Sequence, residues 1–372
     1  MSGTERFCFI TEYYDSLSSL HRRFQLFYYP KDDSIEMYEI RTKKIFLKRN
    51  VVPNITLKDL YKGNEITIYS RLHKLIDYGD NFTKNHFEEI STNTICLIKP
   101  DAYYNMGKII DCICHYGFTI NRLKLCKFSQ NDVLSFYNIS LNNQNLINYL
   151  TSDYVVGIEL IKNNAIKELL NILGPEDVDK AKNQNPNSLR AIFGESGFKN
   201  AIHGSLSFDN AKKENIILFN NIKHKPILSN CSCVIIKPHI ISEGNEGKII
   251  DIILSEGGFE ISAMQMMNIN KQQAEELFEI YKDVLPEFNE MINSIISGPI
   301  IVMEVRQNDC VKKFRNLAGP YDPEVAREVR PNTIRAKFGK NCAYNAIHCT
   351  DLEEDAVYEC DFLFNKIGEI NN

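Results

Sequence analysis

Short apolar and aromatic runs, broken by turn residues, mark the first 90 positions. Phe7-Cys8-Phe9-Ile10, Arg23–Tyr29, Ile35–Ile40 and Lys44–Leu47 are separated by segments such as Pro30-Lys31-Asp32-Asp33-Ser34. β-Branched and aromatic residues in short runs between turn formers predict strands, and the Lys31–Ser34 segment predicts a hairpin. A further run, Glu65–Tyr69, follows the helical-looking Leu57–Tyr61, and Arg71–Asp80 reads as the way out of the unit. The expectation for 1–90 is a small β-rich domain. It shows no acid/base cluster, glycine-rich loop or metal-ligand spacing, so binding suits it better than catalysis.

From residue 94 the pattern changes and then repeats. The apolar run Thr94–Ile98 ends in Lys99-Pro100-Asp101, and Cys233–Ile236 ends in Lys237-Pro238-His239. Gly107-Lys108-Ile109-Ile110-Asp111 returns as Gly247-Lys248-Ile249-Ile250-Asp251, and Asn200-Ala201-Ile202-His203 as Asn345-Ala346-Ile347-His348. Arg190 precedes His203 by 13 residues, the spacing of Arg335 from His348. A slowly growing offset is what small loop insertions produce in a diverged tandem copy. Each copy reads β–α–β–β–α–β, with helices at Gly107–His115 and Lys248–Ser255 and further strands at Ile120–Phe128, Val155–Leu160, Glu260–Asn268 and Ile300–Val305. That order predicts an α+β fold, a split βαβ, ferredoxin-like sheet covered by helices. The expected segments are 91–222 and 230–368, with Lys223-His224-Lys225-Pro226 as the linker.

Composition narrows the partners. The 372 residues are 44% hydrophobic and 24% charged, as in ordinary globular proteins, and are too many for one domain. A net charge of −5 without long blocks of one sign predicts no nucleic-acid binding. No apolar run approaches the roughly 20 residues that span a bilayer, and Met1–Arg6 lacks a signal-peptide core, so a cytosolic setting is expected. Among eleven cysteines, Cys112/Cys114 and Cys231/Cys233 form CxC pairs. These predict buried reduced thiols, and no protein-borne metal site is expected.

The repeated histidine carries the candidate chemistry. A nucleophilic imidazole needs one free nitrogen and a partner that fixes the other, and phosphoryl transfer to it needs cations around the phosphate oxygens. Lys99 and Arg190 accompany His203; Lys237, Arg315 and Arg335 accompany His348. No GxxxxGK[ST] loop occurs, so any nucleotide would be held without a P-loop.

On these motifs, residues 94 to about 365 resemble two nucleoside diphosphate kinase domains in tandem. The Arg23–Tyr29 strand, the Asp33–Glu36 hairpin, Lys43–Arg49, Tyr61–Ile66 and Asp77–Asp80 resemble the DM-ten domain of ciliary proteins. The kinase resemblance implies a ping-pong transfer from nucleoside triphosphate to nucleoside diphosphate through a phosphohistidine, with Mg2+ on the phosphates of ATP or another triphosphate. It assigns His203 and His348 as nucleophiles. Lys99, Tyr137, Arg190, Asn200, Lys237, Tyr281, Phe288, Arg315, Arg335 and Asn345 become the nucleotide site. Ser205, Glu214 and Glu359 orient the histidines, Tyr137 assisting, with Phe288 as the base-stacking ring. Leu170 stands where the family has a phosphate-binding Arg, which the second copy keeps as Arg315. Glu176 and Tyr321 replace a family Thr, and His348-Cys349-Thr350 replaces the His-Gly-Ser of the first copy. The first copy is therefore expected to be the more active. The DM-ten resemblance implies attachment to axonemal doublet microtubules, in contact with tubulin and other microtubule inner proteins, in cilia or flagella. Two readings follow: an axonemal enzyme, or a structural inner protein with degenerate kinase sites. A monomer in isolation is expected, because the tandem copies could satisfy one dimer-like interface within the chain.

Overall fold

A computed structural model of the chain describes residues 6–15, 18–53, 55–60, 62–84 and 92–368. Tyr61 and the expected domain junction at 90 and 91 lie outside the described residues. The described chain gathers into two compact units. One holds the N-terminal sheet with 268–278 and 292–298; the other holds the rest of both repeats.

The N-terminal sheet has six antiparallel strands: β1 (Phe7–Asp15), β2 (Leu20–Tyr29), β3 (Ser34–Glu39), β4 (Ile45–Val51), β5 (Glu65–Ile68) and β6 (Arg71–Tyr78). Their spatial order is β4-β3-β2-β1-β6-β5. The hairpin is where the turn residues place it, with Tyr29 opposite Ser34 and Asp33 at a φ of 51°. Alternation sends Phe7, Phe9, Phe24, Leu26, Tyr28, Ile35, Met37, Ile66, Ile68 and Leu75 into one core. Arg71–Asp80 does not lead out of the unit. As β6 it lies between β1 and β5, with His73 and Leu75 facing inward. A histidine in the alternating pattern hides this strand. Burial pushes the His73 imidazole down to about 3, so it packs there as a neutral ring, Nδ1 within 3.3 Å of Thr11 Oγ1. Leu57–Asp59 is one turn of 3-10 helix.

In the second unit the first repeat contributes β7 (Thr92–Ile98), β8 (Thr119–Lys127), β9 (Tyr154–Lys162) and β10 (Ile202–Gly204). The second contributes β11 (Cys231–Ile236), β12 (Glu260–Met267), β13 (Ile300–Arg306) and β14 (Ile347–Cys349). Each set has the ferredoxin-like order, fourth-first-third-second in chain sequence, and the sets join edge to edge as β10-β7-β9-β8-β12-β13-β11-β14. The join is narrow, with Gln265 opposite Lys124 as its paired residues. Helix packing reinforces it. A Cβ on Gly107 would lie 2.3 Å from Asp251 N, and one on Gly247 would lie 2.3 Å from Asp111 N. Only glycine lets Met106–His115 and Glu246–Ser255 approach so closely, and the contact is reciprocal about a local two-fold. Tyr103 adds a hydroxyl that donates to Ile261 O at 2.8 Å and accepts from Ile261 N at 2.7 Å. Both repeats share one apolar core.

One polar group in this packing is costly. Glu246 is buried, accepts from Cys114 Sγ at 3.2 Å and has its Oε2 without a partner. Burial raises its carboxyl from 4.5 to about 7. Between those values the folded state binds more protons than the unfolded one, so this group's contribution to stability falls as pH rises through that window. Glu246→Gln is expected to stabilise the protein at pH 8 by up to about 3 kcal/mol, the gain fading towards pH 5. Chemical denaturation at the two pH values checks this; equal gains at both would refute it.

Candidate active site

The histidine is presented by a strained turn. Ile202 N–H donates to Asn200 O at 2.7 Å across Ala201, whose φ is 63°; in the second copy Ile347 N–H donates to Asn345 O at 2.9 Å across Ala346, φ 71°. A three-residue turn with positive φ at a residue bearing a Cβ is rare and costs on the order of 1–3 kcal/mol. It persists because its surroundings brace it. Lys99 N–H donates to Ala201 O at 2.8 Å, and Ala201 N–H donates to Asp101 Oδ2 at 3.0 Å. Tyr149 donates to the other oxygen of Asp101. The turn feeds β10, where His203 stands opposite Leu97 of β7.

The arginines pin that loop from behind. Arg190 donates from Nη1 to Gly174 O at 2.8 Å and from Nε to Ile202 O at 3.1 Å. Arg335 donates to Gly319 O at 3.0 Å and to Ile347 O at 3.4 Å. Gly174 and Gly319 sit at φ of 75° and 86°, turning their carbonyls off the preceding helix ends. Lys99 Nζ donates to Asn200 Oδ1 at 2.7 Å and Phe198 O at 3.1 Å, while Asn200 Nδ2 donates to Glu176 O at 2.8 Å. Burial pushes the Lys99 ammonium down to about 8 and that of Lys237 to about 7. Lys237 donates to Ala343 O at 2.8 Å, and Asn345 Nδ2 to Tyr321 O at 3.1 Å.

His203 Nε2 lies 3.1 Å from Glu214 Oε1, and Ser205 Oγ donates to Glu214 Oε2 at 2.5 Å. A carboxylate beside Nε2 keeps the proton on that nitrogen and leaves the Nδ1 lone pair outward. Nδ1 has no partner among the described residues. Edge-on rings of Phe136 and Tyr137, centred 5.3 and 5.2 Å away, fix the imidazole plane. The second copy repeats the chain, with His348 Nε2 3.2 Å from Glu359 Oε1 and Thr350 Oγ1 donating to Glu359 Oε2 at 2.6 Å. Its histidine is more enclosed, 9% exposed against 16% for His203.

The copies differ in what surrounds the imidazole. In the second, Asp351 accepts from Tyr281 OH at 2.6 Å, and both its main-chain oxygen (2.8 Å) and its carboxylate accept from Arg315. In the first, Glu176 is exposed and close enough to act electrostatically on both Lys99 and Arg190. Leu170 is half-buried on the helix Ala165–Leu173. Phe288, expected as a stacking ring, is buried at the start of the helix Phe288–Ile295 and offers no free face. The other sequence-derived residues assemble around the two histidines: Lys99, Tyr137, Arg190, Asn200, Ser205 and Glu214, then Lys237, Tyr281, Arg315, Arg335, Asn345 and Glu359. The bracing by Asp101 and the occupation of Arg315 by Asp351 were not expected from the sequence, although Asp101 follows the Lys-Pro strand end and Asp351 lies three residues past His348.

Comparison with known proteins assigns the segments of the chain to families. The family model described as nucleoside diphosphate kinase matches residues 92–223 and 230–368, and one described as the nucleoside diphosphate kinase 7 N-terminal PH domain matches 1–89. Nucleoside diphosphate kinase homolog 7 of Rattus norvegicus is 41% identical over 370 residues, covering 97% of this chain and 93% of that protein. The Mus musculus protein of the same name is 40% identical over equal coverage. A nucleoside diphosphate kinase of Aquifex aeolicus is 38% identical over 134 residues, 36% of this chain and 93% of its own length. The crystal structure of an Aquifex aeolicus nucleoside diphosphate kinase aligns with 37% of this chain at a TM-score of 0.35 and 36% identity.

Proposed function

Because the chain belongs to the nucleoside diphosphate kinase family, we propose that it transfers a phosphoryl group between nucleotides through Nδ1 of His203. The supporting observation is the Ser205–Glu214–His203 chain, which fixes the proton on Nε2 and turns a lone pair outward. In the first half-reaction the Nδ1 lone pair forms a bond to the γ-phosphorus while the bond to the bridging oxygen breaks, and the diphosphate leaves with that electron pair. In the second half-reaction a terminal oxygen of another diphosphate takes the phosphoryl group and the histidine is restored. Developing imidazolium charge is stabilised by Glu214. Lys99 and Arg190, both buried behind the histidine loop, supply positive charge to the phosphates, and Asn200, held by Lys99, contacts the ribose. Mg2+ enters as part of the nucleotide substrate, where it neutralises phosphate charge. Wild-type protein incubated with γ-labelled ATP is expected to carry an acid-labile, base-stable phosphate that added diphosphate removes. Unlabelled protein would refute the proposal.

The first 90 residues favour a second role. We propose that they attach the chain to axonemal doublets as an inner protein, with tubulin as the partner. Support comes from the DM-ten resemblance and from the exposed edge strand β4 with the lysines before and within it, Lys43, Lys44 and Lys48, a surface suited to an acidic partner. Release from isolated axonemes with the soluble matrix at moderate salt would refute it. A monomer in isolation is the accompanying proposal, since Met106–His115 already packs on its counterpart within the chain.

A further inference from the structure

A buried cluster in the second repeat is distinct from the histidine site. Among the described residues, Cys231, Glu304 and Cys360 form a group whose sulfur and oxygen atoms all lie within 4.8 Å of one another. All three side chains are buried and the thiols are free. Cys233, two positions along the same strand face, contacts Cys360 and offers a further sulfur. The carboxylate is held rigidly: Ile227 N–H and Leu228 N–H donate to Glu304 at 2.8 and 2.6 Å, and Ser262 Oγ at 2.5 Å.

The first repeat supplies an internal control. Strand register puts Glu159 opposite Ile95 where Glu304 is opposite Cys233, and the bulged pairs Arg122–Glu159 and Ala263–Glu304 coincide. Around Glu159, Asn93 Nδ2 donates at 2.9 Å and Asn121 Nδ2 at 2.6 Å, and Asn215 stands where the second repeat has Cys360. Amides thus satisfy that carboxylate as donors. In the second repeat, two of the three asparagine positions carry thiols, on separate elements, and both converge on the retained carboxylate. A fold that needed only a buried glutamate satisfied could keep the amides, as the first repeat does. Thiolates beside a carboxylate are instead the donor set of a borderline-soft divalent cation, for which zinc is the type.

We propose that Cys231, Cys360 and Glu304 bind a zinc-class cation. Zn–S bonds of about 2.3 Å and Zn–O bonds of about 2.0–2.2 Å in tetrahedral geometry set donors roughly 3.5–3.8 Å apart, inside the 4.8 Å within which all three donor atoms lie. Two sulfur–metal bonds form as two thiol protons leave to solvent, and the cation offsets the negative charge gathered at the buried site. The hydrogen bonds on Glu304 orient it as an outer shell would. The site ties β11 and β13 to the helix Asp355–Asp361, the element that carries Glu359 to His348.

The test uses the full chain, purified under reducing conditions, exposed to zinc and desalted. One zinc per chain is expected by elemental analysis, with cobalt giving the absorption of a thiolate site. The thermal midpoint should fall on chelation. The double variant Cys231→Asn and Cys360→Asn copies the first repeat and is expected to fold, to lose at least 90% of the bound zinc, and to show no chelator-dependent midpoint. Sub-stoichiometric zinc in the wild type, zinc retained by the folded double variant, or a Cys231–Cys360 disulfide found by mass spectrometry of the reduced preparation would each overturn the proposal. Should the double variant fail to fold, Cys231→Ser alone decides by the same two readouts.

Discussion

Replacing His203 by alanine is expected to abolish the acid-labile phosphoprotein and to lower phosphoryl transfer on the order of 10³-fold or more, the scale seen when a covalent nucleophile is removed. His348→Ala should leave most of both. The asymmetry does not lie in the orienting carboxylates, which are alike: Glu214 and Glu359 hold Nε2 at 3.1 and 3.2 Å. It lies in what has to be displaced. Arg315 and Tyr281 of the second copy are already engaged by Asp351, so an incoming phosphate must compete with an internal carboxylate for the cation it would use. His348 is also the more enclosed of the two. In the first copy Glu214 leaves Nδ1 of a partly exposed imidazole outward. Label stoichiometry and turnover on the two single variants decide the matter. If His203→Ala keeps its label and His348→Ala loses it, the assignment of the copies is reversed.

The second large effect concerns Glu176. Its carboxylate acts on both Lys99 and Arg190, the cations available to a phosphate in the first copy. Glu176→Thr is expected to tighten binding of a non-hydrolysable triphosphate roughly 3- to 10-fold at low salt, the range of a solvent-screened charge interaction. The gain should shrink as ionic strength rises, because the side chain is exposed. Calorimetric titration at two salt concentrations is the measurement. An affinity unchanged at low salt would mean that the carboxylate does not face the phosphates. The backbone of residue 176 should be undisturbed, since Asn200 binds its carbonyl oxygen and not its side chain.

The duplication, the strand–helix order and the histidine loops were legible because they rest on local signals: apolar runs ending in Lys-Pro, glycines at helix ends, and a fixed Arg-to-His spacing. Contributions made across the fold were not. β6 was obscured because an inward His73 looks polar until burial neutralises it. The positive φ of Ala201 was hidden by a side chain that ordinarily avoids that region; what holds it is Asp101, a hundred residues earlier. Phe288 was given a role by position along the chain, and at the start of its helix it is buried. The thiols at 231 and 360 looked like ordinary core cysteines because the elements that bring them together are separated by most of a repeat.

The reciprocal glycines at 107 and 247 have a consequence for how the two repeats can change over time. Protomers associated through such a contact separate on dilution, and a substitution that weakens one weakens the assembly. Here the partner is tethered, so its effective concentration does not depend on how much protein is present. The second repeat can therefore lose fitness as a catalyst, accepting His239, Cys349 and the Asp351 lock, while still covering the apolar face of the first.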